Sequence, residues 1–168
     1  AKEYGAVVYC DDSHGVGVLG ENGRGVCELL NVESEIDIRM GVISKAFGTM
    51  GGFVAGDKEL SWYLRVCRTS IFSMGLPAAE TMATIKAIEL ARAEPWRRVK
   101  VLQHANYLRT QLKKLGINVL QSTTQVVPIL IGDELSAHQL ERELAARGVL
   151  SSTLCYPATP KGMARIRL

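Results

Sequence analysis

Short apolar runs separated by polar, glycine-rich stretches mark the first third of the chain, and helical spacing takes over in the middle. Gly5 to Cys10 (GAVVYC) is apolar throughout and rich in Val and Tyr. A short run without alternation predicts a buried strand of a parallel sheet. Asp11-Asp12-Ser13-His14 then crowds polar groups at its C-terminal end, and Gly15, Gly17, Gly20, Gly23 and Gly25 make the next stretch an irregular loop. Val26 to Leu30 predicts a short helix. Ile36 to Val42 predicts a second strand leading into Ile43-Ser44-Lys45, and Gly51 to Gly56 a third, short and bounded by glycine.

Asp57 can cap a helix running to about Thr69. Leu76-Pro77 opens another, with proline tolerated in the first turn and Met82, Ile85, Ile88 and Leu90 as its apolar face. Trp96 to Leu115 predicts a long helix stopped by Gly116. Ile117 to Leu120 and Val126 to Ile131 predict strands, the second at a sheet edge because it contains Pro128. Ser136-x-x-Gln139 matches a capping box for a helix ending near Arg147-Gly148, and Val149 to Cys155 and Arg165 to Leu168 complete the strand candidates. The second half thus reads α-β-β-α-β-β. A boundary near residues 94–96 separates the rear of an α/β domain (1–94) from a smaller α+β domain (95–168).

Composition narrows the class. With 168 residues, 47% hydrophobic and 22% charged, the chain can bury a core and is neither a disordered tail nor a fibrous rod. No apolar run reaches the roughly 18 residues a bilayer span needs. The chain begins Ala1-Lys2-Glu3-Tyr4 without an initiator Met, and its last residues read like the middle of a strand, so a piece of a longer protein is expected. The net charge of +3 is mild. Its densest basic cluster, Arg97-Arg98-Lys100 beside Trp96, reads as a solvated helix face, so nucleic acid is not an expected partner. Cys10, Cys27, Cys67 and Cys155 show no zinc-ligand spacing among themselves or with histidine, and no metal site is expected. A reduced setting fits them, the cytoplasm or an organelle.

Four features carry candidate chemistry: Asp11 with His14 after a strand, Lys45 in a short glycine-flanked loop, Ser73 before Leu76-Pro77, and Arg167 near the end. Gly15-Val16-Gly17-Val18-Leu19-Gly20 fits a dinucleotide fingerprint, but that fingerprint needs a strand running straight into the turn and a helix opening at the glycines. Here polar residues separate strand from glycine, and Glu21 to Gly25 cannot start a stable helix. A carboxylate at a parallel strand's C-terminal end sits where α/β folds bind ligands, so Asp11 or Asp12 could hold a cation, a ribose or a ring nitrogen. Lys45 follows an apolar strand on a short loop, where desolvation and nearby positive charge would free its amine for a Schiff base. A lysine Schiff base together with an aspartate on a pyridinium nitrogen is the pyridoxal phosphate arrangement.

Asp11 to Gly17 (DDSHGVG), Gly20 to Gly25 (GENGRG), Ser44-Lys45-Ala46-Phe47-Gly48 with Gly51-Gly52, Phe72-Ser73-x-x-Leu76-Pro77, and Tyr156 to Gly162 (YPATPKG) occur in one order along the chain. Together they resemble the α-oxoamine synthases, over essentially its whole length. The resemblance implies the rear part of a fold-type I pyridoxal phosphate-dependent transferase large domain plus part of its smaller α+β C-terminal domain. It implies an acyltransferase that condenses an amino acid with an acyl thioester to an α-amino ketone, with or without decarboxylation. Asp11 would pair with the pyridine nitrogen and His14 with the phenolic oxygen. Lys45 would bind the cofactor aldehyde and then act as base, with Ser44 beside it. Ser73 would reach the phosphate of the other subunit's cofactor in a homodimer, and Arg167 would bind the substrate carboxylate, for which a planar fork is suited.

Two departures from the pattern stand out. Val42 occupies the position three before the lysine where the family usually has a phosphate-binding Thr; one bond to a charged group is worth roughly 1.5–3 kcal/mol. Chains of this family are also more than twice as long, so the segment by itself is expected to be inactive. A class I/II aminotransferase and a non-catalytic partner subunit of a heterodimeric synthase are the alternatives.

Overall fold

A computed structural model describes residues 1–67 and 69–168. They form two compact units, Ala1–Arg98 and Val99–Leu168.

The first unit is built on a three-stranded sheet. Strand β1 (Tyr9–Asp11) pairs in parallel with β2 (Ile38–Val42), and β2 pairs antiparallel with β3 (Gly52–Ala55). Asp11 faces Met40 in the register, and Val42 faces Gly52. β1 is shorter than its apolar run and begins at Tyr9; before the run a 3-10 turn at Lys2–Tyr4 ends at Gly5 in the left-handed region (φ 62°). Val8 still accepts from the Asp37 and Ile38 amides at 3.2 and 3.1 Å. The glycine stretch is a series of turns leading to a four-residue helix, α1 (Val26–Leu29), and Val16, Leu19 and Cys27 are buried there.

Helix α2 (Lys58–Val66) starts at Asp57, whose carboxylate accepts the Leu60 amide at 2.7 Å. It ends at Val66, short of the Thr69 that the pattern suggested, and Arg68 on that stretch lies outside the described residues. Helix α3 (Ala78–Ala93) follows Pro77, which stands at the cap rather than inside the first turn. Its predicted apolar face is largely uncovered: Met82, Ile85 and Leu90 are exposed. Periodicity specifies which residues share a face, but another element must pack there before that face is buried.

The division between the units falls inside helix α4 (Trp96–Lys114), which stops at Gly116 (φ 74°). The second unit has an antiparallel sheet in the order β4-β6-β5, from β4 (Pro128–Gly132), β5 (Ser152–Leu154) and β6 (Ala164–Arg167). Pro128 opens an edge strand, where its missing N–H costs no ladder bond. Helix α5 (Glu134–Ala146) lies on one face, where Ala137 and Ile166 are both 0% exposed. On the α4 side, Ala105, Val119 and Val127 form a core with Leu108, Leu112, Ile117 and Leu168 around them.

Two expectations fail in this unit. Residues 117–120 form no strand: Leu120 adopts φ 54°, and its amide turns back to the Asn118 side chain at 2.9 Å. Nor does Ser136 cap α5. Asp133, three residues earlier, accepts the Ser136 amide at 2.7 Å, while Gln139 bonds Glu143 at 3.0 Å along the helix. An ionised carboxylate is available just before the helix and takes the orphan N–H first.

Candidate active site at two parallel strand ends

Asp11 and Asp12 are neighbours in sequence with opposite environments. Asp12 is 3% exposed, and its Oδ2 accepts the Val26 amide at 2.8 Å, satisfying an orphan donor at the start of α1. A Cβ at Gly15 or Gly25 would lie 1.9 or 1.8 Å from the Asp12 carboxylate, so both glycines make room for this strut. Burial pushes the Asp12 carboxyl above its ordinary value, opposed by the bond from Val26. Asp11, the last residue of β1, is exposed instead. Of the two acids that strand-end position alone left open, Asp12 holds the loop, while Asp11, the one the resemblance points to, stays exposed at the strand end.

Ser13 orients Asp11. Its hydroxyl and its amide both donate to Asp11 Oδ1, the amide at 2.9 Å. This is an aspartate bonding the backbone two residues on. Ser13 is buried, and its Oγ also lies 3.3 Å from Met40 Sδ on β2. The Ser13 bonds lower the Asp11 carboxyl below its ordinary 3.8, and the charges of Lys45 and His14 add to that. Sequence reasoning passed over Ser13; the Asp-x-Ser spacing was the available signal.

Lys45 sits on the loop that leaves β2. The loop closes at its base through the Ile43 amide and the Gly51 carbonyl (2.9 Å) and turns through the Gly48 amide and the Lys45 carbonyl (3.2 Å). Thr49 anchors it, its hydroxyl 2.8 Å from that of Thr84 on α3. Gly17 lets the first loop approach: a Cβ there would meet the Ala46 Cβ at 2.6 Å, and its φ of +84° suits glycine. Because β1 and β2 run parallel, Asp11 and Lys45 emerge at the same edge of the sheet, and Lys45 and His14 both act electrostatically on Asp11. Burial does not supply the expected desolvation, since Lys45, His14 and Ser44 are all exposed. Val42 lies within β2, half-buried opposite Gly52.

The remaining candidates belong to other elements. Ser73 is exposed in a turn after α2, where its hydroxyl donates to the Thr69 carbonyl at 2.8 Å, between Phe72 (91% exposed) and Met74 (95% exposed). Arg167 belongs to the second unit, and its Nε donates to Ser152 Oγ at 3.2 Å. A cavity of about 1010 Å³ in the first unit is lined by Gly17 and Phe47 together with Phe53, Arg24 and Arg92, but by none of Asp11, His14 or Lys45. Its lining offers no lysine, histidine, cysteine or serine. The strand-end cluster therefore has the better claim to chemistry.

A sequence profile of the aminotransferase class I and II family matches residues 1–168. The chain belongs to that family. It is 40% identical to 8-amino-7-oxononanoate synthase of Petrotoga mobilis, over 100% of this chain and 43% of that protein. It is equally 40% identical to 8-amino-7-oxononanoate synthase 1 of Bacillus subtilis, over 99% of this chain and 43% of that one. Among solved structures, Sphingomonas wittichii serine palmitoyltransferase superimposes with a TM-score of 0.90 at 30% identity, covering 99% of this chain and 42% of that chain. SPT solved with a PLP internal aldimine gives 0.90 at 30% identity, covering 99% and 43%. These relatives are the α-oxoamine synthases that the motifs resemble, and the fold is the corresponding part of a fold-type I transferase. The chain spans about 43% of the length of the curated relatives it matches.

Proposed function

We propose that this member of the aminotransferase class I and II family is part of a pyridoxal phosphate-dependent acyltransferase that joins an amino acid to an acyl thioester, giving an α-amino ketone. The observation that carries the reading is the placement of Asp11 and Lys45 at adjacent parallel strand ends, with the Asp11 carboxyl lowered by Ser13, Lys45 and His14.

The donor set fits the cofactor. A carboxylate held ionised suits a protonated ring nitrogen, and an exposed amine within electrostatic reach of it suits an aldehyde. When bound, pyridoxal phosphate supplies an electron sink for negative charge at the amino acid's Cα. Asp11 would keep the ring nitrogen protonated, and His14 would hydrogen-bond the phenolic oxygen. Lys45 would hold the aldehyde carbon and, once displaced by substrate, accept the Cα proton on Nζ. Ser44 would donate to the phosphate beside Val42, which cannot. Arg167 would orient the substrate carboxylate through its planar fork.

Ser73 is read as reaching the phosphate of a partner subunit's cofactor in a homodimer. The exposed Phe72 and Met74 beside it support an interface there. Residues 1–94 are read as part of the cofactor-binding large domain and 95–168 as part of the C-terminal small domain. No helix of the described residues is long and apolar enough to cross a membrane. The four free cysteines suit a reducing compartment, and the reading places the enzyme in the cytoplasm.

The test uses a chain of the relatives' full length that carries this segment. Given amino acid and acyl-CoA, it should release free thiol, and Lys45→Ala should abolish that release. Keto acid formed from the amino acid without thiol release would make it an aminotransferase. Turnover unchanged by Lys45→Ala would make it a non-catalytic partner subunit.

A further inference from the structure

We infer that Arg165 is a second anion-binding group of the small unit and takes a negative charge on the acyl donor; this rests on the reading of Arg167 as the group for the amino acid's carboxylate. β6 is the central strand of its sheet. Its side chains alternate, so Ala164 and Ile166 are buried on one face and Arg165 and Arg167 share the other. The buried face is the one under α5: Thr153, in register with Ile166, donates its hydroxyl to the Ala137 carbonyl of that helix.

Two half-buried guanidinium groups two residues apart on one strand face repel each other and ask for a counter-charge. The sheet offers none. Arg167 stands between Pro128 and Ser152, and Arg165 between Leu130 and Leu154. Among the described residues, neither arginine has a carboxylate within ion-pair distance. Structural duty takes only part of each group: Arg165 Nε donates to the Met163 carbonyl at 3.1 Å and Arg167 Nε to Ser152 Oγ at 3.2 Å.

Those anchors lead apart, one back to Met163 just before β6 and one across to Ser152 on β5. The pair is thus arranged for two separate anions rather than one shared carboxylate. The flanking residues divide the labour. Ser152 gives the Arg167 position a polar neighbour, suited to an amino acid head. Leu130 and Leu154 give Arg165 apolar walls, suited to an apolar chain that carries an anionic group. That group is a carboxylate at the end of the acyl chain or a phosphate of the thiol carrier.

The experiment uses the full-length chain, its Arg165→Gln, Arg165→Lys and Arg167→Gln variants, and four donors: acyl chains of equal length ending in carboxylate or methyl, each on coenzyme A and on the phosphate-free thiol N-acetylcysteamine. Arg165→Gln should raise KM about 10- to 100-fold for the donors that carry the recognised anion. It should leave the amino-acid KM unchanged, and Arg165→Lys should keep part of the affinity. An effect that follows the chain end assigns the carboxylate; one that follows coenzyme A assigns the phosphate. Arg165→Gln raising the amino-acid KM as Arg167→Gln does would overturn the inference. So would a change in thermal stability alone, with every KM unmoved. Calorimetry with linear dicarboxylates and with inorganic phosphate reads the site without turnover: binding weakened by Arg165→Gln supports it even if the acyltransferase reading fails, and no binding to the unsubstituted chain counts against it. An Arg167→Gln variant with an unchanged amino-acid KM would break only the reading of Arg167.

Discussion

In the sheet β4-β6-β5 the central strand buries Ala164 and Ile166 beneath α5, whereas in β1-β2-β3 all of β3 and both ends of β1 are exposed. The first arrangement closes on a helix of its own unit. The second leaves Val7, Tyr9, Phe53 and Val54 uncovered and holds its candidate chemistry at strand ends. Scattered apolar residues are normal on a surface, but here several on one sheet stay uncovered by the described residues of this unit. Stability and chemistry are therefore distributed unequally: packing is concentrated in the small unit, and the Asp11–Lys45 cluster belongs to the unit with less of it.

The largest effect that tests this division is catalytic. On the proposed reading, Lys45→Ala in a full-length chain should cost about a thousandfold or more in turnover while leaving the denaturant midpoint unchanged, because Lys45 is exposed. A shifted midpoint would show that the lysine loop also bears structural load. Next is packing. Ile166→Ala should destabilise by about 2–5 kcal/mol in urea titrations, whereas Phe53→Ala in this segment should cost under about 1 kcal/mol. Equal losses would erase the contrast between the sheets.

Smaller effects separate the two aspartates. Asp12→Ala should cost about 1–2 kcal/mol, since it removes the acceptor for the Val26 amide; Asp11→Ala should change stability little. Ser13→Ala should let the Asp11 carboxyl rise towards its ordinary 3.8, readable by NMR titration. Because the folded value is depressed, what Asp11 adds to stability is full above the unfolded value and fades as pH falls through the folded one.

The smallest effect concerns thiols. Burial, with Cys27 Sγ 3.7 Å away, pushes the Cys10 thiol up to about 11. Its contribution to stability is full below the ordinary 9.0 and is lost as pH rises through about 11. The hydroxyls of Thr69 and Ser70 lower the Cys67 thiol. Iodoacetamide at pH 8 should therefore modify Cys67 well before Cys10, as followed by mass spectrometry.

Much of this was legible in the residues. The Asp57 cap, the Gly116 stop and the edge position of Pro128 depend on local chemistry, and the structure shows each of them. The apolar runs located each of the six strands among the described residues but not their ends, because where pairing stops depends on the neighbouring strand. Residues 117–120 form no strand, and the stretch ends in a left-handed Leu120 that its residue type does not announce. Motif order supplied Asp11, His14 and Lys45. Strand-end position alone could not choose between Asp11 and Asp12, since both stand beside one strand end; the choice of Asp11 came from the resemblance.

The sequence by itself determined where turns, caps and apolar faces fall, because those follow from single residues and their spacing. Only the tertiary structure decided that Asp12 turns inward to cap α1 while Asp11, held by Ser13, shares an edge with Lys45. Alternation along β6 puts Arg165 and Arg167 on one face, but only the register of the second sheet set Pro128, Ser152, Leu130 and Leu154 beside them, with no carboxylate in ion-pair distance among the described residues. Electrostatic environment depends on distance in space, and parallel pairing joins strand ends that lie far apart along the chain.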